Sequence, residues 1–127
     1  MGPMGDIFRI LREVNSVWQK VAQIIDQLKI LVRVVLNDGS ITEWGKWFVF
    51  PSDGYGEVAR YGPFQIKDVC YIEVNPVEHR KVGRLLPEKE IDHSEELESA
   101  LAGAGIVFEI YGGKYRIFNP SGNESRH

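Results

Sequence analysis

Cys70 is the only cysteine of the chain, and with His79 or His93 as a base it could act as a thiolate nucleophile. Such a pair needs an orienting third group, and no cysteine-enzyme signature surrounds Cys70. Alternation along its apolar run places Cys70 with Ile72 and Val74 on one strand face, where a small thiol behaves as a buried hydrophobe. Asp92, His93 and Glu96 could offer metal ligands from the first turn of a helix. No second histidine has helical spacing, however, and carboxylates at a helix start already complement the dipole. The expectation is no metal, no cofactor and no catalytic group. The alternative is a small hydrolase or transferase with a site near His79, Asp92 and His93, which requires those side chains to converge in a concave pocket.

Binding chemistry is better represented. Gly54-Tyr55-Gly56 lacks the Gly-Lys-Ser/Thr ending of a phosphate loop and is followed by Glu57, which would repel phosphate. Trp47, Tyr55 and Tyr61 belong to a dense aromatic group with Trp44, Phe48, Phe50 and Phe64. Aromatics that cannot all share one core favour interfaces, so these three are candidate partner-binding residues. Arg80, Lys81 and Arg84 form a small basic patch fit to dock an acidic partner. Nucleic acid is not the expected partner, because the net charge is −3 and no aromatic lies between residues 72 and 107.

The elements that position these groups fit within one domain. A chain of 127 residues with 43% apolar and 26% charged side chains has the composition of an ordinary globular protein. One domain is expected over residues 1–120, followed by a disordered polar tail at 121–127. A single cysteine excludes an intrachain disulfide and points to a reducing compartment. No apolar run approaches membrane-spanning length, and the N-terminus lacks a signal-peptide layout, so a cytoplasmic location is expected.

From Asp6 to Lys29 the periodicity is helical. Ile7, Leu11, Val14, Trp18, Val21, Ile25 and Leu28 follow gaps of four and three, with Ile10, Val17 and Ile24 in a parallel row. This face is wider and longer than a small sheet requires, which predicts a homodimer through the 7–28 helix. Ile30 to Leu36 reads as a strand, Asp38-Gly39 as a hairpin turn, and Ile41 to Phe50 as the returning strand stopped by Pro51. That register sets Arg33 opposite Trp44 as a cation–π pair. Residues 51–63 read as a loop, Phe64 to Val74 as a strand, and 75–91 as an irregular polar stretch. A short helix follows from Asp92 to about Ala102.

Gly112-Gly113 then turns a hairpin pairing Ile110 with Tyr115, Glu109 with Arg116 and Phe108 with Ile117. One face collects the apolar side chains, and the other carries a Glu109–Arg116 ion pair. The order α-β-β-β-α-β-β defines an α+β fold with about five mostly antiparallel strands and the helices on one face.

The run Gly39-Ser40-Ile41-Thr42-Glu43-Trp44-Gly45-Lys46-Trp47-Phe48 resembles an uncharacterised bacterial domain-of-unknown-function family of small α+β proteins with a Trp-x-x-Trp-type strand. Cys70-Tyr71-Ile72-Glu73-Val74 and Gly113-Lys114-Tyr115-Arg116-Ile117 extend the resemblance over most of the chain. It implies the same α+β layout and no particular activity.

Overall fold

The computed structural model describes residues 17–52, 54–59 and 61–119. Among them residues 17–28 are helical (helix α1), and Ile30 caps the helix end by donating to the Ile25 carbonyl. The strands that follow are β1 (Leu31–Leu36), β2 (Phe48–Ser52), β3 (Tyr55–Val58), β4 (Tyr61–Gln65), β5 (Val69–Asn75), β6 (Val77–Arg80) and β7 (Lys89–Asp92). Helix α2 (Ser94–Gly103) and the hairpin β8 (Glu109–Tyr111) and β9 (Lys114–Phe118) complete the chain.

The main sheet is antiparallel with strand order β1-β5-β9-β8, so the fold is α+β as its sequence order implies. Alternation sorts the side chains of the sheet. Val32, Val34, Ile72, Val74, Tyr115 and Ile117 face inward, and they share one apolar core with Trp18, Val21 and Ile25 of α1 and Leu97 and Leu101 of α2. The heptad spacing of α1 thus serves this core in its described part. Residues 7–16 of the expected dimer seam, and the tail 121–127, lie outside the described residues. Among the described residues no helix is long and apolar enough to cross a membrane.

The first hairpin has the expected register at its open end, where Val32 bridges Gly45. It slips by one residue nearer the turn, where Val35 meets Ile41. Ile41 to Phe50 is therefore not one strand: two bridges hold its first half along the outer edge of β1, and β2 begins only at Phe48 and runs over Pro51.

Nine strands stand among the described residues where about five were expected. Residues 51–63, expected as a loop, carry the end of β2, all of β3 and the start of β4, which pair as the small sheet β2-β3-β4. The glycine that suggests a loop is a packing device here. A Cβ on Gly56 would sit 3.0–3.2 Å from Ile66, Phe64 and Phe48, so only glycine lets these side chains close over the strand. The two ends of the stretch 75–91 likewise carry strands, β6 and most of β7, which pair as a third, two-stranded sheet. Its polar sequence reflects exposure on most positions rather than absence of a ladder.

The C-terminal hairpin follows the expected register, with Glu109 against Arg116 and Ile110 against Tyr115. Gly112 and Gly113 have φ of 58° and 77°, the left-handed pair that a two-residue type I′ turn requires. Asn119 anchors the end of β9 by donating to the carbonyls of Ile66 and Val69 at 2.8 and 3.0 Å.

Candidate functional site

The β6–β7 hairpin departs from the main sheet at Pro76. Asn75 Oδ1 accepts from the Val77 amide at 3.1 Å, and the His93 amide donates to the Pro76 carbonyl at 2.8 Å. These bonds fix both ends of the hairpin against the start of α2. Glu78 then turns inward and is 6% exposed. Its carboxylate accepts from Arg80 Nε at 3.0 Å and from a terminal guanidinium nitrogen at 3.1 Å. The third contact is His93 Nε2, 2.8 Å away. The other ring nitrogen, Nδ1, lies 2.9 Å from Glu96 Oε1.

Two carboxylates on one imidazole favour its doubly protonated form. The Glu78 hydrogen bond raises the His93 pKa above 6.5, burial opposes it, and Glu96 adds to the rise. Glu78 in turn is held below its ordinary carboxylate value, first by Arg80 and then by His93. An imidazolium with both N–H groups engaged has no lone pair to take a proton, which is the property a general base needs.

The three side chains of the hydrolase alternative each have separate partners. His79 lies 3.7 Å from Glu88 and 3.8 Å from Glu90. Asp92 Oδ1 accepts from both the amide and the hydroxyl of Ser94, and these bonds lower its pKa. His93 sits between Glu78 and Glu96. Among the described residues no group of three or more His, Cys, Asp or Glu side chains is arranged to hold a metal ion.

Glu78 also borders a cleft of about 360 Å³. Lys29, Lys46, Arg80 and Lys81 contribute four cationic side chains to its lining, against the carboxylates of Asp26 and Glu78. His79 and Trp47 complete it, and Trp47 is 68% exposed. The end of α1, the segment before β2 and the strand β6 thus meet at one surface.

Of the candidate residues read from sequence, the cleft unites Trp47 with Arg80 and Lys81. Tyr55 and Tyr61 stand on the β2-β3-β4 sheet instead, each about two-fifths exposed. Tyr61 borders a different hollow of about 290 Å³ with Ile41, Thr42 and Glu43. Arg84 is exposed in the connection between β6 and β7 and is not part of the cleft lining. Lys29, Lys46, Asp26 and Glu78 were missed. Lys46 beside Trp47 was the one local signal; Asp26 and Lys29 reach the cleft only through the docking of α1.

A second charged cluster lies on the outward face of the main sheet, where Arg33, Glu73 and Arg116 share a register row across β1, β5 and β9. Glu73 is 3% exposed. Arg33 Nε donates to its Oε1 at 2.9 Å, joined by a terminal nitrogen, and Arg116 Nε donates to its Oε2 at 2.9 Å. Aromatic rings cover both guanidinium groups. Arg33 lies 4.6 Å from the Trp44 centroid, as the hairpin register implies, and Arg116 lies 4.7 and 4.1 Å from Tyr71 and Tyr111. The expected Glu109–Arg116 ion pair is replaced by this one: Arg116 reaches back to β5, where a buried carboxylate offers a stronger partner than an exposed one across the hairpin.

Comparison with curated proteins and with solved structures finds no match. Residues 14–119, which include both charged clusters and the whole cleft lining, match a family of unknown function (DUF6678), and the chain belongs to that family.

Proposed function

We propose that this is a non-catalytic, cytoplasmic binding or regulatory protein that docks an acidic stretch of another protein in the cleft around Trp47. The supporting observation is the cleft itself: one large exposed aromatic ringed by Lys29, Lys46, Arg80 and Lys81. An indole supplies most of the anchoring contact at such surfaces, and the surrounding cations select carboxylates and speed their approach. A nucleic-acid strand fits less well, since among the described residues Trp47 alone of Trp, Tyr and Phe lines the cleft for stacking, and Asp26 and Glu78 would repel its phosphates. The hydrolase reading is weaker because His79, Asp92 and His93 are engaged separately. Self-association belongs to the same proposal.

The test is a titration of the isotope-labelled protein with an Asp/Glu-rich peptide carrying one leucine, beside a Lys-rich peptide of equal length. The acidic peptide should shift the Trp47 indole and the amides of Arg80 and Lys81, with little change at Tyr55 and Tyr61. Trp47→Ala should weaken binding by at least about 1 kcal/mol. Equal responses to both peptides, or shifts centred away from Trp47, would sink the proposal.

A further inference from the structure

The two edges of the main sheet are treated differently. Along β1, residues Ile41 and Gly45 bridge to Val35 and Val32 and cover the outer side. At the other end β8 is the terminal strand, and among the described residues nothing pairs with its outer side. Sheet edges are normally blunted by proline, lysine or a bulge. β4, at the edge of the small sheet, carries Pro63 in this way. β8, three residues long, has no proline, lysine or bulge, and exposed apolar side chains stand on it and just before it: Val107 at 85%, Ile110 at 56% and Tyr111 at 65%.

The turn geometry says which backbone groups face outward. A two-residue turn at Gly112-Gly113 makes Tyr111 and Lys114 the hydrogen-bonded pair that closes the hairpin. Alternation then directs the N–H and C=O of Ile110 away from β9, to the open edge.

We propose that β8 pairs antiparallel with β8 of a second copy, about a two-fold axis at Ile110, joining two four-stranded sheets into one. The register follows from charge. Centring on Glu109 would set two carboxylates directly opposite, which is unfavourable. Centring on Ile110 uses its outward backbone groups reciprocally and sets Ile110 against its own copy, as an isologous interface demands. Glu109 then faces Tyr111 of the other copy, whose ring already carries the Arg116 guanidinium at 4.1 Å. Each carboxylate is thus set toward a ring that bears a cation rather than toward its own copy. This surface is separate from the cleft around Trp47, so neither reading depends on the other.

Sedimentation equilibrium over a wide concentration range tests it. The mass should rise from 14.5 kDa toward twice that value, and the Ile110 amide should exchange more slowly as concentration rises. Ile110→Lys places the usual edge-blocking charge at an already exposed site, so it should leave far-UV circular dichroism unchanged while raising the dissociation constant by at least about tenfold. A monomer at every concentration, or a dimer that persists in Ile110→Lys, would overturn the proposal.

Discussion

Glu73 and Glu78 are both almost sealed from solvent, at 3% and 6% exposure, and both stay ionised, but their counter-charges differ in kind. Glu73 sits between two guanidinium groups, each covered by an aromatic ring, and arginine is the side chain that keeps its charge throughout the working range of proteins. Burial pushes the Glu73 pKa up, and the hydrogen bonds and charges of Arg116 and Arg33 outweigh it, leaving it below 4.5. Glu78 has one arginine and one histidine. The same acid is therefore locked in the sheet and conditional at the cleft. The difference teaches that the partner's proton affinity, rather than the burial of the carboxylate, decides whether a charged cluster responds to pH.

Removing the locked carboxylate should have the largest effect. Glu73→Ala leaves two adjacent guanidinium groups without a counter-ion and should cost about 3 kcal/mol in urea unfolding, the low end for a broken buried pair because both arginines reach water. Arg116→Ala should cost about 2 kcal/mol, since Glu73 keeps Arg33 but loses one charged hydrogen bond. An exposed pair with Glu109 would instead give about 1 kcal/mol or less. A loss that small would return Arg116 to the hairpin and erase the contrast.

The conditional cluster should show itself in the shape of a pH profile. Because the folded-state pKa of His93 lies above 6.5, its contribution to stability is complete below 6.5 and fades as pH climbs through the raised value. His93→Gln should flatten that slope, whereas Glu73→Ala should leave it in place. On the acid side, Glu73 and Glu78 are both held below 4.5, so what they contribute is present above 4.5 and lost as pH falls through their lowered values. An unchanged slope in His93→Gln would mean the imidazole is not the titrating group. The smallest effect on stability belongs to Trp47→Ala, within about 0.5 kcal/mol for so exposed a side chain; a large loss there would make the indole a structural cap rather than a binding anchor.

What was legible in sequence was local. The double glycine set the last hairpin to the residue, and the Asp38-Gly39 turn brought Arg33 to Trp44. The turn that pairs Ser52 with Tyr55, with Gly54 at φ 81°, was concealed by the glycines and prolines around it. Both buried glutamates were invisible for a different reason. Arg33 signalled only its pairing with Trp44, and nothing beside Glu73 in the sequence points to an arginine. Their meeting depends on strand order, which places β5 between β1 and β9. Likewise the cleft joins a helix end, a pre-strand segment and a polar hairpin that no short window contains.

That strand order also has a kinetic side. β5 takes one neighbour from upstream and the other from downstream, with Arg33 40 residues before Glu73 and Arg116 43 residues after it. Contacts so far apart in the chain must close long loops before they gain anything, which slows folding relative to a protein of local hairpins. During synthesis β5 can zip onto β1 as soon as it leaves the ribosome, yet it keeps an open side, and Glu73 lacks its second arginine, until almost the last of the domain has emerged. The final hairpin, quick to form by itself, is thus the piece whose arrival completes the sheet.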